Sequence, residues 1–154
     1  MDRRDGRGRA RRSSDIPSVF LDTNVLVYFF DLDEPDKRDV ARSLLRKPSP
    51  LDLVISTQVL LEFYSVVTRK LRDRMTDEDA AAAVERLSAL PVVATDAALV
   101  RAGISISRRV HVSIWDGMIV AAATAAGCDR LLTEDLSHGQ VVGSVTVENP
   151  FAST

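Results

Sequence analysis

Ser18-Val19-Phe20-Leu21-Asp22-Thr23-Asn24 sets a short apolar run directly against a carboxylate. A run of this length reads as a buried strand, and Asp22 then stands at its carboxyl end. Beyond it, Asn24 to Phe30 forms a short helix, Asp31 to Asp36 a loop, and a second helix runs from about Pro35 to Arg46 before the Pro48-Ser49-Pro50 break. Leu53-Val54-Ile55 repeats the pattern of a short apolar strand, with Ser56 or Thr57 as N-cap of a long amphipathic helix reaching about Arg72. Thr76 with Asp79 opens an Ala-rich helix to Leu90, which Pro91 ends. Val92-Val93-Ala94 is a third strand and Asp96 to Arg109 a helix; Ser113 caps another helix from Ile114 to Ala126, stopped by Gly127. Arg130-Leu131-Leu132-Thr133 and Val145-Thr146-Val147 complete the strands. Alternation of strands and helices predicts an α/β sandwich around a mainly parallel sheet.

With 154 residues, 45% of them hydrophobic, the chain suits one globular domain over 18–154, preceded by an Arg-rich extension over 1–17. The single cysteine, Cys128, excludes an internal disulfide or a Cys-based zinc cluster and points to a reducing cytoplasm. No apolar run approaches the ~20 residues of a membrane span, so no membrane partner is expected. The net charge of −2 conceals an asymmetry, because residues 1–17 hold six of the 20 basic and three of the 22 acidic residues. The remainder has 14 basic against 19 acidic, a balance of −5. Such a body repels a polyanion unless divalent cations, or the extension with its six arginines, supply positive charge. The Gly, Ser and Arg content of the extension itself reads as a disordered, solvated tail.

Four acidic residues interrupt apolar patterns, and burying a carboxylate without a partner is costly. Asp22 and Asp135 follow apolar strands. Glu62 shares the helix stripe Val59, Glu62, Phe63, Val66, and Asp116 shares one with Ile119, Val120 and Ala123 in the first turn of its helix. Each alone has an ordinary structural account as cap, ion-pair partner, dipole partner or turn former. Together they fall where helix beginnings meet strand ends, the usual ligand crevice of an open α/β sheet. Clustered carboxylates raise one another's pKa unless a hard divalent cation occupies the site, and oxygen ligands without Cys or His select Mg²⁺ or Mn²⁺.

Phe20-Leu21-Asp22-Thr23-Asn24, Leu60-Leu61-Glu62-Phe63, Trp115-Asp116-Gly117-Met118-Ile119-Val120-Ala121-Ala122-Ala123, Leu132-Thr133-Glu134-Asp135-Leu136 and Val147-Glu148-Asn149-Pro150, in this order, resemble a PIN domain of the VapC toxin type. The resemblance implies a PIN-like three-layer α/β/α sandwich. It also implies the toxin of a type II toxin–antitoxin system, an endoribonuclease acting on structured RNA such as tRNA or rRNA and leaving a 5′-phosphate. A VapB-type antitoxin and a homodimer are the implied partners. By position, Asp22, Glu62, Asp116 and Asp135 correspond to the catalytic, metal-binding carboxylates, while Asn24 and Thr133 correspond to supporting polar residues. The expected chemistry is hydrolysis of an RNA phosphodiester by metal-activated water, with Asp22 and Asp116 as principal ligands and Glu62 and Asp135 either completing the cage or binding water in the outer shell.

Arg69, Lys70, Arg72, Arg108 and Arg109 are the candidate phosphate contacts, though each also suits a helix C-terminus. Trp115 is expected to pack rather than stack on a base, and His111 and His138 to lie in surface or loop positions. Tyr28, Phe29 and Phe30 offer either an apolar docking surface or core packing. Two rival enzyme or signalling classes fit less well. A haloacid-dehalogenase-type phosphotransferase wants a second Asp where Asn24 stands, and a receiver domain wants a lysine after a late strand, where Lys37, Lys47 and Lys70 do not fall. A PIN fold kept purely as a binding module stays open.

Overall fold

A computed structural model describes residues 16–47 and 49–152. The Arg-rich stretch read as a solvated tail lies outside the described residues up to residue 15.

The elements follow the expected alternation. They are β1 (Ser18–Leu21), α1 (Thr23–Tyr28), α2 (Pro35–Leu44), β2 (Asp52–Ser56), α3 (Thr57–Arg69), α4 (Asp77–Leu87), β3 (Val92–Val93), α5 (Ala97–Val110), α6 (Ile114–Ala125), β4 (Arg130–Leu132), β5 (Val141–Val142) and β6 (Val145–Glu148). The sheet order is β3-β2-β1-β4-β6-β5, parallel except for β5, which runs antiparallel to β6 at one edge. Strand β5, a two-residue hairpin partner, is absent from the sequence reading, because two valines carry no readable period. Helices α1 to α4 pack on one another, and α5 packs on α6, giving helical layers around the sheet.

Core burial follows the apolar runs: Val19, Phe20, Leu21, Ile55 and Leu131 are fully enclosed, as are Val59 and Phe63 on the inner stripe of α3. Phe30 joins them by packing on Phe63, and Tyr28 also packs against the core, whereas Phe29 and one side of Phe30 line an apolar groove. Cys128 is buried beside Ser18.

Side-chain caps fix where the helices that frame the crevice begin, and thus where their first turns point. Asp22 caps α1, Ser56 caps α3 through Val59, Asp96 caps α5 through Leu99, and Ser113 caps α6 through the Asp116 N–H at 3.1 Å. Because Leu21 pairs with Leu132 in the register of β1 and β4, the residues that follow each strand emerge side by side. The chain order reverses here, since β1 is flanked by β2 on one side and β4 on the other, and a crevice opens at their carboxyl ends.

Helices α5 and α6 approach so closely that a Cβ on Gly117 would stand 2.4 Å from the Gly103 carbonyl and 3.2 Å from Ser107. Backbone carbonyls cannot move aside as a flexible side chain can. Gly117→Ala is therefore expected to lower unfolding free energy by roughly 1–3 kcal/mol through overpacking, as read by urea denaturation. A variant as stable as the wild type would show that the two helices separate freely.

Candidate active site

Asp22 is 4% exposed, one of the few buried ionisable side chains in the described part of the chain. Its Oδ1 accepts the Thr23 N–H at 2.7 Å and its Oδ2 accepts the Thr133 hydroxyl at 2.7 Å. Its own N–H continues the ladder to the Leu132 carbonyl. Asp22 thus acts as N-cap and as a site carboxylate at once. Thr133, fully buried, uses its hydroxyl completely, donating to Asp22 while accepting Asn24 Nδ2 at 3.1 Å and the Asp135 N–H at 3.1 Å. Asn24 Nδ2 also reaches Asp135 Oδ2 at 3.2 Å, and Asn24 Oδ1 is buried without a partner among the described residues.

Carboxylate oxygens of Asp22, Asp116 and Asp135 lie within 4.8 Å of one another. Glu62 stands outside that trio. Its Oε2 accepts the Thr23 hydroxyl at 2.7 Å and its Oε1 accepts Gln58 Nε2 at 3.0 Å, while Gln58 also holds the Trp115 carbonyl at 3.2 Å. Gln58 thereby links the first turns of α3 and α6. The sequence reading missed it, although its place four residues before Glu62, on the same face, was a usable signal. Glu62 and Asp135 both line a cleft of about 440 Å³ with Thr23, Asn24, Tyr28 and Lys70.

Electrostatics follow from this crowding. Burial pushes the Asp22 carboxyl from 3.8 up to about 7, against the opposing hydrogen bonds from Thr133 and Thr23; the charges of Asp135 and Glu62 raise it further. Asp116 is raised too, first by burial, with the Ser113 hydroxyl opposing and Asp135 and Glu62 adding to the rise. Three oxygen donors of this kind, with an orphaned amide oxygen beside them, fit a hard divalent cation better than they fit one another.

Of the five cations put forward for phosphate contacts, Lys70 lines the cleft. Arg69 is exposed in the last turn of α3, and Arg72 pairs loosely with Asp33 at 3.8 Å. Arg108 and Arg109 line a separate open depression with Arg101. Trp115 does not pack as expected: it is 64% exposed, and Ile114 takes the inward position beside it. His111 and His138 are exposed; the former ends α5 in left-handed backbone (φ 59°), and the latter's Nδ1 accepts the Asn149 N–H.

Residues 19–142 match the PIN domain family. The chain belongs to the PIN-domain family. No curated protein matches the chain by sequence. Among solved structures, VapC20 of Mycobacterium tuberculosis, a sarcin-ricin-loop-cleaving toxin, superposes at TM-score 0.58 with 19% identity over 73% of this chain and 86% of that one. DNA-bound VapBC of Salmonella typhimurium gives 0.60 with 21% identity over 87% and 98%. Promoter-bound VapBC2 of Rickettsia felis gives 0.60 with 18% identity over 86% and 98%. At these identities the likeness establishes a shared PIN fold. No helix among the described residues is long and apolar enough to cross a membrane.

The raised carboxyl of Asp22 makes this PIN domain's metal-free stability depend on pH with a definite sign. Its folded pKa exceeds the unfolded value of 3.8, so stability is fully present below about pH 4 and is lost as pH rises through about 7. The loss is on the order of 4 kcal/mol, and Asp116 adds in the same direction. In EDTA, the urea midpoint should fall between about pH 5 and about pH 8, and Asp22→Asn should flatten that fall. An equally steep fall in Asp22→Asn would assign the dependence to other groups.

Proposed function

We propose that this PIN domain is a Mg²⁺- or Mn²⁺-dependent endoribonuclease, the toxin of a type II toxin–antitoxin pair, acting on structured RNA such as tRNA or rRNA. The observation that carries the proposal is the trio Asp22, Asp116 and Asp135, with oxygens close enough to share one cation at the crevice of the sheet. Among the solved structures of the same fold, VapC20 is described as cleaving the sarcin-ricin loop.

Asp22, Asp116 and Asp135 would hold the cation, which when bound supplies Lewis-acid activation of water and offsets charge developing on the phosphodiester. The chain's own residues set the rest. Thr133 and Asn24 keep Asp22 and Asp135 oriented through the hydroxyl hub. Glu62, fixed by Thr23 and Gln58, takes the outer position, where its carboxylate orients water entering the cleft. Lys70, at the cleft wall, offers an ammonium to a backbone phosphate flanking the cut. With the body at −5 outside the N-terminal extension, Lys70, together with a cation held by the trio, would offset the repulsion of the polyanion.

A VapB-type antitoxin is the proposed protein partner, since solved structures of this fold are VapBC assemblies. An apolar groove of about 750 Å³ between Phe29, Phe30, Leu51, Leu87 and Leu90 supports it by matching the apolar face of a partner helix. Homodimerisation is proposed as well; Leu61 on α3, 73% exposed, and Ile104 on α5 give it apolar surface.

Incubated with total RNA and Mg²⁺ or Mn²⁺, the purified, antitoxin-free chain should yield discrete fragments with 5′-phosphates. EDTA should abolish them, and Asp116→Asn should slow cleavage by about two orders of magnitude or more. Folded protein that leaves every RNA intact across several metals would replace the nuclease reading with that of a binding module. Within the same assay, Lys70→Met should weaken RNA binding and reduce the salt dependence of log Kd by about one charge, measured on the Asp116→Asn background; an unchanged salt slope would place Lys70 off the RNA path.

A further inference from the structure

Glu134 precedes Asp135 in the chain, yet its carboxylate is tied to other elements. The Tyr28 hydroxyl donates to Glu134 Oε1 at 2.5 Å, and Lys37 Nζ donates to Glu134 Oε2 at 3.0 Å and to the Tyr28 oxygen at 3.1 Å. The same ammonium lies over the Tyr28 ring, 4.6 Å from its centroid, and Tyr28 meets Phe151 edge-on at 5.0 Å. The end of α1, the first turn of α2, the loop after β4 and the segment after β6 therefore converge on one carboxylate. The Lys37 and Glu134 side chains are 29% and 24% exposed, so the pair is less screened by solvent than an open surface pair.

Asp135 is the member of the carboxylate trio most in need of such support. Strand β4 ends at Leu132, the Thr133 N–H to the Glu148 carbonyl is the last rung, and residues 134–136 run as bends. Asp135 itself is exposed, whereas Asp22 is buried and Asp116 half-buried. Repulsion among the three carboxylates drives the exposed one outward, and its direct restraints are the Asn24 amide and its own N–H bond to Thr133. Anchoring the preceding side chain fixes the backbone turn on which Asp135 rides.

We propose that Lys37 and Tyr28 are positioning residues for Asp135: they grip Glu134 and so hold the turn that presents the Asp135 carboxylate to Asp22 and Asp116. The proposal rests on reading that trio as the cation site. It makes a prediction opposite in sign to simple charge. Deleting a positive charge near an acidic cluster should, by Coulomb attraction alone, tighten binding of a cation. Loss of the grip should weaken it, as loss of outer supports around a metal ligand does by roughly 10–100-fold.

The test is Mn²⁺ titration followed by electron paramagnetic resonance, with an unfolding midpoint recorded for every protein. Lys37→Met and the charge-neutral Tyr28→Phe are each expected to weaken Mn²⁺ binding by about tenfold, Lys37→Arg to recover most of the loss, and Arg46→Met, at an exposed position after α2, to match the wild type. Tyr28→Phe keeps the ring packing and carries the test if Lys37→Met fails to fold. If Asp135→Asn weakens binding while Lys37→Met and Tyr28→Phe bind as tightly as the wild type or tighter, the grip is overturned and the cation site stands. If the wild type binds no Mn²⁺, or Asp135→Asn binds it with unchanged affinity, the cation-site reading falls and the positioning role with it.

Discussion

A carboxylate buried at the end of a strand is the constraint from which the rest of this structure follows. Asp22 is enclosed at the end of an apolar strand of a parallel sheet, where burial favours its neutral form and donors placed at both oxygens oppose that rise. One donor is local, the N–H of the helix that Asp22 itself caps. The other, Thr133, directly follows a different strand and lies 111 residues away in the chain. That hydroxyl has one proton to give and two lone pairs to fill, and all are used by groups that converge on the acidic cluster. The pairing of β1 with β4 is therefore as much a part of the site as the carboxylates, since a slip of one residue would turn Thr133 to the other face of the sheet.

Much of this was legible in the sequence because each of the four carboxylates breaks a pattern within a few residues of itself. Asp22 ends an apolar run, Glu62 sits in an apolar stripe, and Asp116 stands in a capped first turn whose own N–H is held by Ser113. The helix starts at Ser56, Thr76 and Ser113 were readable for the same reason, as a cap and its target lie three residues apart. What was not legible depends on distance along the chain. Lys37 meets Glu134 across 97 residues, and nothing in either local sequence distinguishes that pair from solvated charges. The edge strand β5 was missed because two residues cannot show alternation. Packing is the expectation for Trp115 because a large aromatic ring usually finds cover, yet two adjacent helix positions point about 100° apart, and Ile114 holds the inward one.

Charge on the domain is predominantly acidic, and few of its cations lie near the crevice. Fewer cations than anions lie outside the N-terminal extension, so a general basic surface does not draw a polyanion to this domain. Two lysines stand at the cleft or beside it. Lys70 lines the cleft beside Glu62 and Asp135, whereas Lys37 is committed to Glu134 and keeps that carboxylate from adding a further unpaired charge at the cluster. Arg130 does the same for Glu148 on the neighbouring strand, holding its carboxyl below the usual range. At the crevice itself, carboxylate oxygens of Asp22, Asp116 and Asp135 are left facing one another.

The three carboxylates are graded in burial, and the grading determines what each must be supported by. Asp22 is immobilised by strand and helix backbone, so it needs no further fastening than its two donors. Asp116 is carried on α6, whose position is set by the close glycine contact with α5, and its support is helix packing. Asp135 is exposed on a bend, beyond the last rung of the sheet, where neither a ladder nor a helix constrains it. Side-chain bonds have to replace backbone regularity at that point. Asn24 and Thr133 bond Asp135 directly, and Lys37 and Tyr28 hold the neighbouring Glu134, so the most exposed of the three carboxylates has polar support on both sides of it in the chain's own bonds.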